Sequence, residues 1–195
     1  MLNLMIIHLV GLLSPGPDFF YVSRISAMSS RREAIGGVIG ITIGVLIWAT
    51  AAVLGLAIIF ATMPIIQGIV MMLGGSYLVY LGIKMTKVKT NAVFDEKQNA
   101  NTSTLTSIMK GLLVNLSNAK VVIYFSSVMS LVLVNITETS QILTALAVIT
   151  VETFLYFYII SVLFSRSVAK QFYSQYSRYI DNAAGLIFIF FGIYL

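Results

Sequence analysis

The chain contains no cysteine and a single histidine, and only 10% of its 195 residues are charged. Without cysteine there is no disulfide framework and no thiolate chemistry, and one histidine excludes a histidine-rich metal site. Soluble domains hold roughly a quarter of their residues as Asp, Glu, Lys or Arg. A chain this poor in charge and 58% hydrophobic is therefore not a water-soluble domain. Its 12 Lys and Arg and 7 Asp and Glu cluster between long apolar runs instead of spreading along helix faces. The motifs G-x-x-x-x-G-K-[ST], H-E-x-x-H and G-x-S-x-G are all missing, which leaves nucleotide-driven pumping by this chain alone and zinc proteolysis without support. No cofactor and no metal are expected. The apolar stretch from Met1 to Ser14 lacks a basic leader and a small-residue cleavage site, and is read as part of the mature chain.

What is present is a series of charge-poor stretches. A membrane span needs about 20 apolar residues to cross a core about 30 Å thick. Six stretches fit, from Leu2 to Ser23, Ala34 to Ala61, Ile65 to Ile83, Gly111 to Val134, Ile142 to Ser165 and Tyr179 to Leu195. The fold class expected is an all-α polytopic membrane protein with six transmembrane helices. The region from Ala34 to Ile83 has no charge and is too long for one crossing, and Met63-Pro64 within it marks the turn of a helical hairpin. Lys and Arg near span ends stay in the cytoplasm. Arg24, Arg31 and Arg32 follow the first span, Lys84, Lys87, Lys89, Lys97 and Lys110 the third, and Arg166, Lys170 and Arg178 the fifth, while the other connections have none. Both termini are therefore expected outside. The net charge of +5 needs no nucleic-acid partner, because topology and attraction to anionic lipid headgroups account for it.

From Thr86 to Ser107 the composition turns polar and cannot bury enough apolar surface to fold alone. It is read as a cytoplasmic linker, residues 86–107, between three-helix units at 1–85 and 108–195 of one transmembrane domain. Gly11-Leu12-Leu13 to Tyr21 matches Leu112-Leu113-Val114 to Phe125, and Gly74-Gly75 with Gly82-Ile83 matches Ala184-Gly185 with Gly192-Ile193. Units with an odd number of spans insert with opposite orientations, giving the inverted repeats common in secondary transporters. Chance agreement between apolar helices is the competing reading.

Ser14-Pro15-Gly16-Pro17-Asp18 lies near the middle of the first span and breaks it at Pro15-Gly16-Pro17. Proline has no amide hydrogen, so the carbonyls it frees must be satisfied by protein or by a watery cavity. The helix that restarts after the break points its amides toward it, a positive end suited to a carboxylate. A plain structural kink is the alternative. Three ionisable residues remain inside spans, Asp18, Lys120 and Glu152. Each costs at least ~2.5 kcal/mol at the bilayer centre, so each should face protein. Asp18 and Lys120 occupy corresponding places in the two units, and could exchange with the ammonium and carboxylate of a zwitterion or form a purely structural ion pair. Candidate substrate-binding residues are Ser14, Pro15, Gly16, Pro17, Asp18, Asn115, Asn118 and Lys120. Glu152, with Thr150 and Tyr156 near it on its helix, is a candidate proton carrier beside Asp18; a protonated acid bonded to a neighbouring helix is its plainer role. Gly36, Gly40 and Gly44 form a smooth stripe for close helix packing. His8 is read as a satisfied interfacial or interior histidine and Asp181 as a helix cap. Asp18 and Glu152 could also serve an intramembrane enzyme as a carboxyl pair, but no hydrolase or metal motif accompanies them.

These residues resemble the lysine-exporter superfamily, specifically its homoserine and threonine efflux branch. The resemblance covers essentially the whole chain. Its anchors are Leu13-Ser14-Pro15-Gly16-Pro17-Asp18-Phe19-Phe20, Ser30-Arg31-Arg32-Glu33-Ala34, Gly40-Ile41-Thr42-Ile43-Gly44 leading to Trp48, Tyr77 to Gly82, Lys110-Gly111-Leu112-Leu113-Val114-Asn115-Leu116-Ser117-Asn118 and Val151-Glu152-Thr153. It implies a six-helix exporter, not an enzyme, in the bacterial inner membrane, moving small neutral amino acids with threonine or homoserine foremost and driven by the proton gradient; another amino acid or small solute carried on the same superfamily plan is the alternative. Its partners are then the amino acid, membrane lipid and, as a further option, a second copy of the chain. The family pattern has Asn-Pro-Lys in the fourth span, where this chain has Asn118-Ala119-Lys120. Without that proline the fourth span is expected to be straighter than the first.

Overall fold

The computed structural model describes residues 1–13, 16–55, 58–59, 62–87, 103–129, 136 and 138–194. In chain order its helices include α1 (Leu2–Leu13), α2 (Pro17–Met28), α3 (Arg31–Val53), α4 (Pro64–Thr86), α5 (Thr104–Leu116) and α6 (Ala119–Tyr124). A π-helical segment, Phe125–Met129, continues α6, and α7 (Thr139–Phe164) and α8 (Ser167–Tyr194) follow. The described residues form no strand. Both α3 and α7, 23 and 26 residues long, are apolar enough to cross a membrane, and α1 with α2 makes a third candidate bent by 63°. Large apolar side chains such as Ile6, Leu73, Leu155 and Phe190 are exposed on the outer faces of the helices, where lipid rather than water is the fitting solvent. The chain is thus an all-helical membrane protein.

The helix boundaries follow from local chemistry. Gly16 is extended and Pro17 takes the first position of α2, where a missing amide hydrogen costs nothing. Ser30 caps α3, its Oγ accepting from the Glu33 amide at 3.3 Å. Helix α3 stops at Val53, short of the expected Ala61, because the turn at Leu54 and Gly55 follows it; Gly55 sits at φ +91, which glycine adopts without strain. Pro64 then opens α4, in line with the expected hairpin turn. Helix α5 begins at Thr104, so the end of the polar stretch expected as linker is helical. Most of that linker and the end of the fourth span lie outside the described residues.

The fourth span is broken without proline, and the start of the sixth helix is corrected. The fourth span is interrupted although it lacks proline: α5 ends at Leu116, and Asn118 starts α6 with its side chain accepting from the Lys120 amide at 3.1 Å. An asparagine cap supplies the break that a proline would otherwise make. The sixth helix begins at Ser167 instead of Tyr179, which puts Asp181 in the middle of α8, where it caps nothing. Asp181 is buried there and accepts from Arg24 Nε at 3.0 and 3.1 Å, tying α8 to α2.

Close approach between helices rests on glycine. A Cβ on Gly40 would overlap the Ile108 carbonyl oxygen, one on Gly111 the Gly37 carbonyl oxygen, and one on Gly36 would lie 2.9 Å from Ser107 Cβ. Helices α3 and α5 therefore touch backbone to backbone, as small-residue stripes permit. The same holds for α4 and α8, where Gly82 faces Gly185 and Gly75 faces Gly192. The core fills the space between them. Leu4, Val45, Trp48, Phe125 and Ile149 join α1, α3, the π segment and α7, while Val22, Ile41 and Phe157 join α2, α3 and α7.

Because backbone cannot move aside as a side chain can, Gly40→Ala is expected to destabilise the protein by about 1–3 kcal/mol, seen as a lower unfolding temperature in detergent. Gly68→Ala, whose added Cβ meets no atom within 4 Å, should leave that temperature unchanged or slightly higher.

Candidate functional site at the helix break

An α-helical carbonyl accepts from the amide four residues on, and for Gly11 that residue is Pro15, which has no hydrogen to give. The Lys120 ammonium takes its place, Nζ donating to the Gly11 carbonyl oxygen at 2.8 Å. Lys120 reaches this point because the Asn118 cap turns the start of α6 toward α1, and because Gly16 has no side chain: a Cβ there would sit 3.1 Å from Lys120 Cδ. One helical turn farther on, Tyr124 donates to the Ile7 carbonyl oxygen at 3.2 Å, its ring lying against Gly11.

Asp18 stands in the first turn of α2, buried, near the positive end of that helix. Its Oδ2 accepts from Asn115 Nδ2 at 2.7 Å, and its Oδ1 is buried with no hydrogen-bond partner among the described residues. Asn115 is fully buried, and its side chain fills the place where a Cβ on Gly44 would be. The last glycine of the α3 stripe thus makes room for the amide that orients Asp18.

Gly16, Asp18, Asn118 and Lys120 share the wall of one cavity with His8, Gly11, Val45, Tyr124, Phe125 and Phe157. The centre of a water molecule can move through about 40 Å³ of it, room for a few waters. Asp18 and Lys120 both line this cavity, each holding a separate hydrogen bond. Pro17 is buried at the start of α2, whereas Ser14 and Pro15 lie outside the described residues. Glu152 is on α7 and is not among the residues lining the cavity; its Oε2 is buried without a hydrogen-bond partner among the described residues.

His8 is an interior histidine, as one of the two readings of the sequence had it. It is buried with Nε2 3.0 Å from Thr153 Oγ1, while Nδ1 has no hydrogen-bond partner among the described residues. His8, Tyr124 and Thr153 were not singled out as site residues from sequence. The available signal was spacing: His8 lies three residues before Gly11 and Tyr124 four after Lys120, which places each on the same helix face as its neighbour.

A membrane helix interrupted at its middle, with a buried carboxylate at the interruption and an ammonium from another helix turned onto it, is the framework of a membrane transport protein. The chain belongs to the LysE type translocator family, which matches residues 9–195. That is a family of transporters and not of enzymes. The chain is 60% identical to an uncharacterized membrane protein of Haemophilus influenzae, covering all of this chain and 95% of that one. It is 40% identical to the threonine efflux protein of Salmonella typhi over 97% of this chain and 93% of the relative. It is 39% identical to the threonine efflux protein of Escherichia coli K12 over 100% and 96%. No solved structure matches the chain.

The asparagine cap can be tested alone. Asn118→Ala is expected to cost about 1 kcal/mol, measured as a drop in unfolding temperature, whereas Asn118→Asp or Asn118→Ser, which keep an acceptor oxygen, should retain most of the stability.

Proposed function

We propose that this chain is a secondary transporter of the bacterial inner membrane that exports small neutral amino acids, threonine and homoserine foremost, coupled to proton movement. The observation that carries the reading is Asp18, whose buried Oδ1 has no hydrogen-bond partner among the described residues, in the same cavity wall as the Lys120 ammonium. A zwitterion presents the complementary pair, its ammonium to Asp18 and its carboxylate to Lys120 and to the amides opening α2. The names of the relatives from Salmonella and Escherichia supply threonine as the first substrate to test. The cavity admits water rather than a whole amino acid, so cargo enters when the elements around the break separate. Water in the cavity would also let a proton move between Asp18 and cargo, with Glu152 as the second carboxyl of the route.

In this reading the two units are inverted repeats, related by a pseudo-twofold axis between α4 and α8. The glycine contacts support it. If Gly75 corresponds to Gly185 and Gly82 to Gly192, then exchanging the units turns the Gly82 to Gly185 contact into the Gly192 to Gly75 contact, and both are present. The Arg24 end of α2 faces the cytoplasm, following the basic residues.

Efflux of labelled threonine and homoserine from preloaded cells tests the assignment. Cells making the protein should lose label faster than empty cells, and the gain should vanish in Asp18→Asn and on collapse of the proton gradient. Efflux equal to that of empty cells, with the protein present in the membrane, overturns the substrate assignment. For the coupling role, Glu152→Gln should abolish gradient-driven efflux while leaving threonine-for-threonine exchange measurable; gradient dependence unchanged in that variant removes Glu152 from the proton route.

A further inference from the structure

We infer a second, loading site for the cargo carboxylate on the cytoplasmic side of the break, in the cleft that Tyr21, Arg24, Lys84 and Lys110 line. The inference rests on the amino-acid exporter reading and adds where cargo is first held.

The cleft lies among α2, α4, α5 and α8 and offers about 410 Å³, far more than the cavity at the break. Three cationic side chains and the phenols of Tyr21, Tyr77 and Tyr80 line it, and among the described residues none that lines it is acidic. Asp181, which is not among the lining residues, holds Arg24 by Nε. Lys84 and Lys110 are exposed and supply the excess positive charge. The Tyr21 hydroxyl is buried with no hydrogen-bond partner among the described residues. Its ring lies against α3 at Gly37, where a Cβ would come within 3.0 Å of Tyr21 Cε1. The cleft thus combines cations at its rim with a buried phenol that has no hydrogen-bond partner among the described residues, a donor set for a carboxylate.

Its place in the fold ties it to the break. Tyr21 follows Asp18 by three residues on α2, so the two side chains sit about one turn apart on one face. Val114, also in the cleft wall, directly precedes Asn115, whose amide holds Asp18. Tyr21 and Val114 of the cleft wall are thus neighbours, along their own helices, of Asp18 and Asn115 at the break. An amino acid held by its carboxylate at the lysines has its ammonium free to advance toward Asp18. An anionic lipid headgroup shares the carboxylate's charge but brings acyl chains, and it is the rival occupant that the test must exclude.

The test uses the full chain in phosphatidylcholine nanodiscs, with acetylation of each lysine followed by mass spectrometry. L-threonine and butyrate should both slow acetylation of Lys84 and Lys110 relative to Lys170, and butyramide, which lacks the charge, should not. The protection should survive in Asp18→Asn, which impairs the site at the break. In cells, Lys84→Gln with Lys110→Gln should raise the half-saturating internal threonine concentration for efflux about ten-fold, with the maximal rate kept and the effect shrinking at high salt. Arg166→Gln with Lys170→Gln removes the same charge outside the cleft and should leave both parameters unchanged. Equal protection of all three lysines, protection only when phosphatidylglycerol is added, or a half-saturating concentration moved equally by both double variants overturns the loading site. Absence of threonine efflux by the wild-type chain, with butyrate protection intact, would instead refute the exporter reading and uphold a carboxylate site.

Discussion

The bond from the Lys120 ammonium to the Gly11 carbonyl is the contact on which the site depends. Two groups that are each costly inside a membrane answer one another there. A carbonyl deprived of its partner by Pro15 costs several kcal/mol if it faces hydrocarbon. An ammonium at that depth costs at least ~2.5 kcal/mol on insertion scales. Bringing them together lets the first helix remain broken and forces the start of α6 to lie against the end of α1. The interruptions of the first and fourth spans are thereby drawn to one place, and the cavity forms between them.

Helix packing and site geometry are one problem in this molecule. The α3 glycines let α5 approach until backbones touch, and that approach sets Asn115 beside Asp18. Were Gly44 larger, the amide that holds the carboxylate would have no room, so a residue with no polar atom in its side chain governs where a charge sits. The same logic holds at Gly16 and Gly11, which admit the Lys120 stem and the Tyr124 ring. Without a solvent-driven hydrophobic effect between helices in lipid, such contact is the main source of association, and the site shares in its precision.

Along the first span, polar groups follow one another at intervals of about a turn. Arg24, Tyr21 and Asp18 descend one face of α2, and beyond the break come the Gly11 carbonyl and His8. Partners from four other helices, Asp181, Asn115, Lys120 and Thr153, meet this line. Buried polar groups in membrane helices are expensive unless satisfied, yet Asp18 Oδ1, the Tyr21 hydroxyl and His8 Nδ1 have no partner among the described residues. Their alignment, not their number, sets this span apart from a kinked structural helix.

The sequence alone determined the membrane class, the break at Pro15-Gly16-Pro17 and the residues worth following, because these depend on local properties. Apolar length, missing amide hydrogens and the cost of buried charge can each be read one segment at a time. Which groups meet depends on helices far apart in the chain. Sequence placed Asp18 and Lys120 at matching positions, but only the packing of α5 and α6 showed Asn115 on the carboxylate and the ammonium on a carbonyl. The missing proline in the fourth span suggested only a helix straighter than the first, since a side-chain cap at Asn118 competes with helix continuation only when its surroundings favour the turn. Asp181 looked like a cap because α8 was expected to begin beside it, and its buried bond to Arg24 spans 157 residues of sequence. Contacts of that range are decided when helices choose their neighbours, and that choice rests on glycine surfaces whose partners no single segment reveals.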